Sequence, residues 1–321
     1  HGDKNISFDH LEIISRKSIK KIYFKDVKKL NKNLRNKVYL DIKQIVKKKK
    51  FKKLNLSKKP LLMGILNLTP DSFSDGGKYN KKNKGIDHAK KLISDGCDII
   101  DVGGESTRPK SQTVSKNNEW KRIYPTISKL HKLKKFISLD TRKSSIMKKG
   151  IKYGVNLIND ISGLDYDVGT INFIKKHKCP FVIHHIQGSP QNMQNDPKYK
   201  NVLLDIYDFF ENKISIIRKI GIKHNNILID PGIGFGKNLK HNITLISKVS
   251  LFHSLGFPIL LGMSRKRFIK DISKKNDSKQ RLGGSIGSAL FALMQGVQVL
   301  RVHDVNEVIQ SIKVFKELIK N

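Results

Sequence analysis

Short apolar runs recur along this chain, and each run ends in a small group of polar residues. Eight such runs lie between residues 61 and 300; the first leads into Asn67 and the last into Arg301. Runs of this length are typical of strands buried on both faces of a parallel sheet. Because stretches of helical periodicity separate them, the pattern predicts an α/β fold of the (β/α)8 TIM barrel type.

The stretches between the runs carry the 3.6-residue spacing of helices that pack on a barrel. In the last stretch Val305, Val308 and Ile312 fall on one face. Helices are predicted at about 85–95, 117–134, 143–150, 167–178, 199–220, 239–255, 281–296 and 304–319. The active site of such a barrel lies at the carboxyl ends of its strands, so the polar groups that end the runs are the candidate chemistry.

The amino-terminal part of the chain has a different composition. Residues 1–58 are dense in lysine, with four in succession at 47–50, and contain no glycine after Gly2. A barrel needs about 250 residues, so this segment is not required to form it. We therefore predict a basic extension or linker at 1–58 and the barrel at 59–321.

The overall charge is strongly positive, with 64 Lys and Arg against 27 Asp and Glu, a formal net charge of +37. No basic stripe alternates with aromatic residues, so we predict weak, salt-sensitive attraction to polyanions and no specific nucleic-acid partner.

No apolar run reaches about 18 residues, so no membrane span is predicted. Cys97 and Cys179 have no partner at metal-ligand spacing and are expected to be free thiols in the cytoplasm.

Two loops follow the first two runs. Asn67 opens a loop rich in oxygen ligands, and its side chain is a candidate ligand for Mg²⁺ or, alternatively, part of a tight turn. The second loop begins with Gly103 and Gly104, which allow close approach of a ligand to the backbone. It then offers the hydroxyl of Thr107 and the guanidinium of Arg108, which suit an anion.

Carboxylate and amide groups end three further runs. Asp140, Asn159 and Asp230 follow the third, fourth and sixth runs. Together they would suit a heterocycle with a guanidine-like edge, because a carboxylate accepts two parallel hydrogen bonds from such an edge. The alternative is that each residue caps the following helix.

Cationic groups follow the seventh and eighth runs. Lys266 lies in the segment Ser-Arg-Lys after the seventh run, while Arg301 and His303 follow the eighth. The loops after strands seven and eight form the usual phosphate site of this fold, so these residues suit an anion such as diphosphate. Surface salt bridges are the alternative.

Five blocks of this sequence, in the same order, resemble the dihydropteroate synthase family, over about residues 61–318. The blocks are 63–77 (MGILNLTPDSFSDGG), 100–109 (IDVGGESTRP), 230–238 (DPGIGFGKN), 262–266 (GMSRK) and 301–305 (RVHDV). The resemblance implies a TIM barrel that joins 4-aminobenzoate to a dihydropterin bearing a methylene diphosphate, with release of diphosphate. It also implies Mg²⁺ as cofactor and a homodimer.

The resemblance implies a role for each matching residue. Asn67 would bind Mg²⁺, and Arg108 would close the site over 4-aminobenzoate. Thr107, Arg301 and His303 would contact the diphosphate. Asp140, Asn159, Asp230 and Lys266 would hold the pterin, with Arg301 stacked on its ring. The residues expected to take part in catalysis are Arg108, Lys266 and Arg301.

The chain departs from the family pattern at Arg142 and Arg267, where small polar residues are common, which leaves the contacts to 4-aminobenzoate open. Its first 30 or so residues faintly resemble the tail of hydroxymethyl-dihydropterin pyrophosphokinase, through Gly2-Asp3 and Leu11-Glu12-Ile13.

Three alternative functions remain: a pterin-binding methyltransferase module, a pterin-binding barrel without catalysis and a polyanion-binding protein. The first is disfavoured because a methyl donor has no diphosphate to contact.

Overall fold

The computed structural model describes residues 8–52, 54–56, 60–69, 84–109 and 111–319. The strands are β1 His10–Ile14, β2 Ile19–Tyr23, β3 Leu61–Asn67, β4 Ile99–Gly103, β5 Ile137–Asp140, β6 Leu157–Asp160, β7 Phe181–His184, β8 Ile227–Asp230, β9 Leu260–Gly262 and β10 Val299–Val302. The α-helices are α1 Lys32–Val46, α2 Lys84–Ser94, α3 Lys116–Lys132, α4 Ser144–Lys152, α5 Thr170–His177, α6 Val202–Lys219, α7 Leu239–Ser247, α8 Arg267–Ser273, α9 Leu282–Met294 and α10 Val305–Leu318. Short 3-10 helices cover Phe24–Lys29, His224–Asn226, Val249–Leu255 and Ser278–Arg281.

Strands β3 to β10 form one parallel sheet that curves into a barrel. The order in the sheet is β8-β7-β6-β5-β4-β3-β10-β9, so the first and last barrel strands, β3 and β10, are neighbours. A single parallel bridge between Ile229 and Ile259 joins β8 to β9 and closes the ring. This confirms the predicted (β/α)8 barrel, whose eight strands are the eight apolar runs.

The barrel interior is apolar at its amino-terminal end. Its buried residues are Leu61, Met63, Ile99, Leu157, Val182, Leu228, Leu260 and Val299, together with Phe51 from outside the barrel. Successive side chains of a strand point to opposite faces, so the residue two places further along each strand also points inward. These next positions include Asp101, Asn159, His184, Asp230 and Arg301, which places a polar layer directly above the apolar one.

The predicted helices are confirmed with small changes at their ends. The helix predicted at 239–255 is divided into α7 and the 3-10 helix Val249–Leu255. Helix α8 was not predicted, because only Phe268 and Ile269 of its seven residues are buried and no periodicity is visible over so short a segment. Gly256 ends its helix in the left-handed conformation that favours glycine, with φ of +86°.

The described part of the amino-terminal segment is folded against the barrel. Strands β1 and β2 form an antiparallel hairpin, and α1 follows. Arg16 reaches helix α6, where it pairs with Asp205 and with Asp208, each at 2.6 Å. Phe51, only 1% exposed, packs against the apolar amino-terminal end of the barrel. No helix in the described ranges is long and apolar enough to cross a membrane.

Candidate active site

The centre of the polar layer is a hydrogen-bonded group of four residues from four strands. Arg301 on β10 donates from Nε to Asp101 Oδ2 at 2.6 Å and from one terminal nitrogen to Asp140 Oδ2 at 2.9 Å. Asn159 on β6 donates from Nδ2 to the same Asp101 oxygen at 3.0 Å. The structure therefore brings together three of the predicted site residues through Asp101, which the sequence reasoning did not select.

The charges in this group are coupled. Burial and the carboxylate of Asp101 raise the pKa of Asp140 to about 8, whereas Arg301 acts in the opposite direction. Burial opposes the charge on Arg301, but Asp101 and Asp140 together raise its pKa, so the guanidinium stays protonated. Asp101 and Asp140 thus share one cation, and Asp140 therefore takes up a proton more easily than an ordinary aspartate does.

Two acceptor atoms in this group have no hydrogen-bond partner among the described residues. They are Asp101 Oδ1 and Asn159 Oδ1, on residues that are 0% and 2% exposed. A buried acceptor without a donor costs free energy, so such atoms are rare unless a ligand or water satisfies them. These acceptors favour a ligand that presents several N–H donors to the barrel mouth, as the strand-end carboxylates and amide predicted.

Asp230 and Lys266 lie together on the neighbouring side of the mouth. Asp230 Oδ1 accepts from the backbone N–H of Gly232 at 2.8 Å. Lys266 Nζ donates to the carbonyl of Ile233 and lies 4.6 Å from the centre of the Phe235 ring. Burial lowers the pKa of Lys266 to about 8, although Asp230 acts against this shift.

The side of the mouth formed by the loops after β9 and β10 contains His303. Its Nδ1 lies 3.0 Å from Ser264 Oγ. Burial, followed by the neighbouring Arg265 and Arg301, lowers the pKa of His303 to about 3, so the ring is neutral near pH 7. Arg265 is occupied by an ion pair with Asp304. The salt-bridge alternative is therefore correct for Arg265, whereas Lys266 has no carboxylate at salt-bridge distance among the described residues.

Asn67, Gly103 and Asp140 adjoin at the ends of β3, β4 and β5. A Cβ added to Gly103 would lie 3.5 Å from Asn67 Oδ1 and 3.4 Å from Asp140 Cβ, so the glycine leaves room between the two side chains. Within the described residues Asn67 is half-buried and its side chain makes no hydrogen bond. Most of its loop, residues 70–77, lies outside the described ranges. An unengaged amide oxygen at a strand end is suited to a hard cation.

Thr107 and Arg108 lie at the edge of the mouth. Thr107 is half-buried and Arg108 exposed, and neither makes a hydrogen bond to another predicted site residue within the described ranges. Arg108 is close enough to His303 to contribute to its lowered pKa. No group of three or more acidic, histidine or cysteine side chains in the described chain could hold a metal by itself.

The alternative that the strand-end residues cap helices is wrong for all three. Helix α4 begins after Lys143, α5 after Gly169 and α7 after Asn238. Only Asn238 among these makes a side-chain cap, to the N–H of His241. The side chains of Asp140, Asn159 and Asp230 are therefore not engaged as helix caps.

Neither of the two unusual arginines contacts the strand-end group. Arg142 is buried, donates to Glu105 Oε2 at 3.0 Å and stacks on the ring of Tyr166 at 4.0 Å. Arg267 has a side chain that is 74% exposed and pairs weakly with Asp271 at 3.6 Å. Arg142 thus ties the loop after β4 to the loop after β5, while Arg267 faces solvent.

Asp101 could have been found from the sequence. It is a carboxylate in an otherwise apolar run, between Ile100 and Val102, two places after an inward-facing isoleucine. A charged residue at such a place needs a partner, because an unpaired buried charge is very costly. The identity of the partner, Arg301, is not visible in the sequence.

Comparisons with known proteins agree with this geometry. A family model described as pterin binding enzyme matches residues 63–303. The dihydropteroate synthase of Escherichia coli is 41% identical over 256 residues, which cover 79% of this chain and 90% of that protein. The crystal structure of Yersinia pestis dihydropteroate synthase with a sulfonamide drug complex has a TM-score of 0.78 and 39% identity, and covers 84% of this chain and 97% of that one. Dihydropteroate synthase of Xanthomonas albilineans with 4-aminobenzoic acid has a TM-score of 0.77 and 34% identity, and covers 83% and 95%.

Proposed function

Since this chain belongs to the pterin-binding enzymes and catalyses the dihydropteroate synthase reaction of folate biosynthesis, we propose that its barrel mouth is divided into a pterin subsite and a diphosphate subsite. In the reaction the amine nitrogen of 4-aminobenzoate forms a bond to the methylene carbon of the dihydropterin. The bond from that carbon to the diphosphate oxygen breaks. The protein is a transferase, and its products are 7,8-dihydropteroate and diphosphate.

The pterin subsite consists of Asp140, Asn159, Asp230 and Lys266. The observation that supports it best is a pair of buried acceptors, Asp101 Oδ1 and Asn159 Oδ1, that have no partner in the described part of the chain. A pterin presents N–H donors along its guanidine-like edge, and such donors would satisfy these acceptors. Donation to Asp140 would also stabilise its ionised form, so we expect the pKa of this carboxyl group to fall when the pterin binds.

The diphosphate subsite consists of Asn67, Thr107, Arg301 and His303. Arg301 is held by two carboxyl groups, which fixes the plane of its guanidinium, so it can stack on the pterin ring and face the leaving group at the same time. His303 is neutral and contributes a hydrogen bond rather than a charge. Arg108, on the exposed edge, would close over 4-aminobenzoate.

Mg²⁺ is the cofactor that these residues fit. Asn67 offers one amide oxygen that makes no hydrogen bond to the described residues, and Mg²⁺ is commonly bound through few protein ligands together with substrate phosphates and water. When bound, the ion would neutralise charge on the departing diphosphate. The chain's own residues position the two substrates. No strong base is needed, because an arylamine is unprotonated at neutral pH and positioning supplies much of the rate.

A coupled diphosphate-release assay tests these roles. Release should require both 4-aminobenzoate and Mg²⁺, and Asn67→Ala should raise the Mg²⁺ concentration needed for half-maximal rate by at least tenfold. Asn225→Ala, at the opposite end of the barrel, is the matched control and should behave like the wild type. Wild-type Mg²⁺ dependence of Asn67→Ala would exclude Asn67 as the metal ligand without affecting the assigned reaction.

The same assay addresses the alternative functions. A pterin-binding barrel without catalysis would release no diphosphate, and a methyltransferase module would not depend on 4-aminobenzoate.

We also propose a cytoplasmic location and a homodimer. The first is supported by the two free cysteines, half-buried Cys97 and buried Cys179, and the second by the resemblance to the family. Sedimentation velocity would test the dimer.

A further inference from the structure

The loop after β8 contains a buried lysine, Lys237, that makes no hydrogen bond to the group formed by Arg301, Asp101, Asp140 and Asn159 in the described structure. Lys237 is 2% exposed, and its Nζ lies 2.9 Å from His185 Nδ1, 2.8 Å from the carbonyl oxygen of Phe235 and 3.4 Å from that of His185. Burial lowers the pKa of Lys237 well below the ordinary lysine value. The three contacts of its amine connect the loop after β8 to the loop after β7.

These two loops are packed as closely as their backbones allow. A Cβ on Gly232 would lie 1.9 Å from the carbonyl oxygen of His185, and one on Gly236 would lie 2.4 Å from that of Gln187. Both glycines have positive φ, of +70° and +62°. The conformation of this segment is thus one that only glycine adopts readily, and Lys237 closes it at its end.

The segment held in this way forms the surface on which Lys266 rests. Lys266 Nζ donates to the carbonyl of Ile233 and lies over the ring of Phe235. The same ring is also contacted by His184, whose ring meets it edge to face with 4.6 Å between the ring centroids. These two contacts of the Lys266 amine therefore belong to the five-residue segment 232–236 that Lys237 ties to His185.

We propose that Lys237 is a positioning residue, which together with His185 holds segment 232–236 so that Ile233 and Phe235 fix the amine of Lys266 for the pterin substrate. The inference rests on the proposed pterin-binding role of Lys266. It also gives a role to the two histidines at the carboxyl end of β7: His184 contacts the ring of Phe235, and His185 contacts the amine of Lys237.

The test is steady-state kinetics of Lys237→Met, which keeps the length of the side chain and removes its hydrogen bonds. A displacement of about 1 Å at a reacting centre costs roughly 100-fold in rate. We therefore expect kcat/KM for the pterin diphosphate to fall by about 10- to 100-fold. In a Lys266→Met background the same substitution should have less than a threefold further effect, because Lys237 acts through Lys266.

Lys49→Met is the matched control. Lys49 is 5% exposed, its Nζ also donates to carbonyl groups, of Gln44 at 2.5 Å and of His253 at 3.2 Å, and it lies at the amino-terminal end of the barrel. Its loss should lower Tm while kcat and KM stay within twofold of the wild type. If Lys237→Met is not recovered folded, His185→Phe removes the hydrogen bond between the His185 ring and Lys237, keeps a ring against Phe209, and should lower kcat/KM by about threefold to tenfold.

The possible outcomes distinguish the positioning role of Lys237 from the pterin-binding role of Lys266. Wild-type kinetics for Lys237→Met or His185→Phe, beside a slow Lys266→Met variant, would overturn the positioning role alone. Fully additive effects of Lys237→Met and Lys266→Met would overturn it as well. Wild-type kinetics for Lys266→Met would instead refute the pterin-binding role of Lys266 on which the inference rests.

Discussion

Asp101 is the residue on which the arrangement of the site depends most. It is 0% exposed, and one of its oxygens accepts from both Arg301 and Asn159. Asp101→Asn keeps the size of the side chain and removes its charge. Arg301 then keeps Asp140 and at most a neutral hydrogen bond to the new amide, so its guanidinium is held less firmly in the position that the ion pair imposes.

The size of the effect follows from the geometry. Two unit charges about 4 Å apart interact by about 4 kcal/mol at an effective dielectric constant of about 20. Removal of one partner from a buried pair typically costs about 3–5 kcal/mol, because the other charge stays buried. Since Asp140 still pairs with Arg301 at 2.9 Å, we expect Asp101→Asn to lower the free energy of unfolding by about 2–3 kcal/mol. We expect kcat/KM to fall by roughly 100-fold.

Urea unfolding and the diphosphate-release assay measure these two quantities. The control is Asp208→Asn, which removes an Asp–Arg contact of the same length, 2.6 Å to Arg16, from an exposed position. Exposed ion pairs contribute about 0–1 kcal/mol. The reasoning would be refuted if Asp101→Asn and Asp208→Asn lost similar stability, or if Asp101→Asn kept wild-type kcat/KM.

Two further predictions concern residues at the two ends of the barrel. Phe51→Ala should lower the free energy of unfolding by about 3–5 kcal/mol, because it leaves a cavity at the amino-terminal end; equilibrium unfolding checks this, and a loss below about 1 kcal/mol would contradict the packing. Asp140 has a folded-state pKa of about 8, above its ordinary 3.8, so the stability it contributes is complete below about pH 4 and is lost as pH rises towards 8. Asp140→Asn cannot ionise, so its unfolding free energy relative to the wild type should rise by about 5 kcal/mol between pH 4 and pH 8. A difference that does not change with pH would show that Asp140 is ionised throughout.

Much of the fold is visible in the chain because its signals are local. The eight apolar runs and the helical spacing between them predict the barrel, and seven of its helices match within a few residues, while the helix predicted at 239–255 is divided in two. A helix as short as α8 leaves too few buried positions to be recognised. The composition of residues 1–58 predicts an extension but not its folded state, because the partners of Arg16 and Phe51 are far away in the chain.

The sequence by itself determined which residues could form the site. Strand-end position and the two-residue alternation of a strand place Asn159, Asp230 and Arg301 in the same inward layer. Only the tertiary structure decided which of these atoms meet. Asp101 and Arg301 are 200 residues apart and become partners because closure of the barrel sets β10 beside β3, next to β4. Pairing across a closed sheet depends on register and packing over the whole barrel, and no local pattern encodes it.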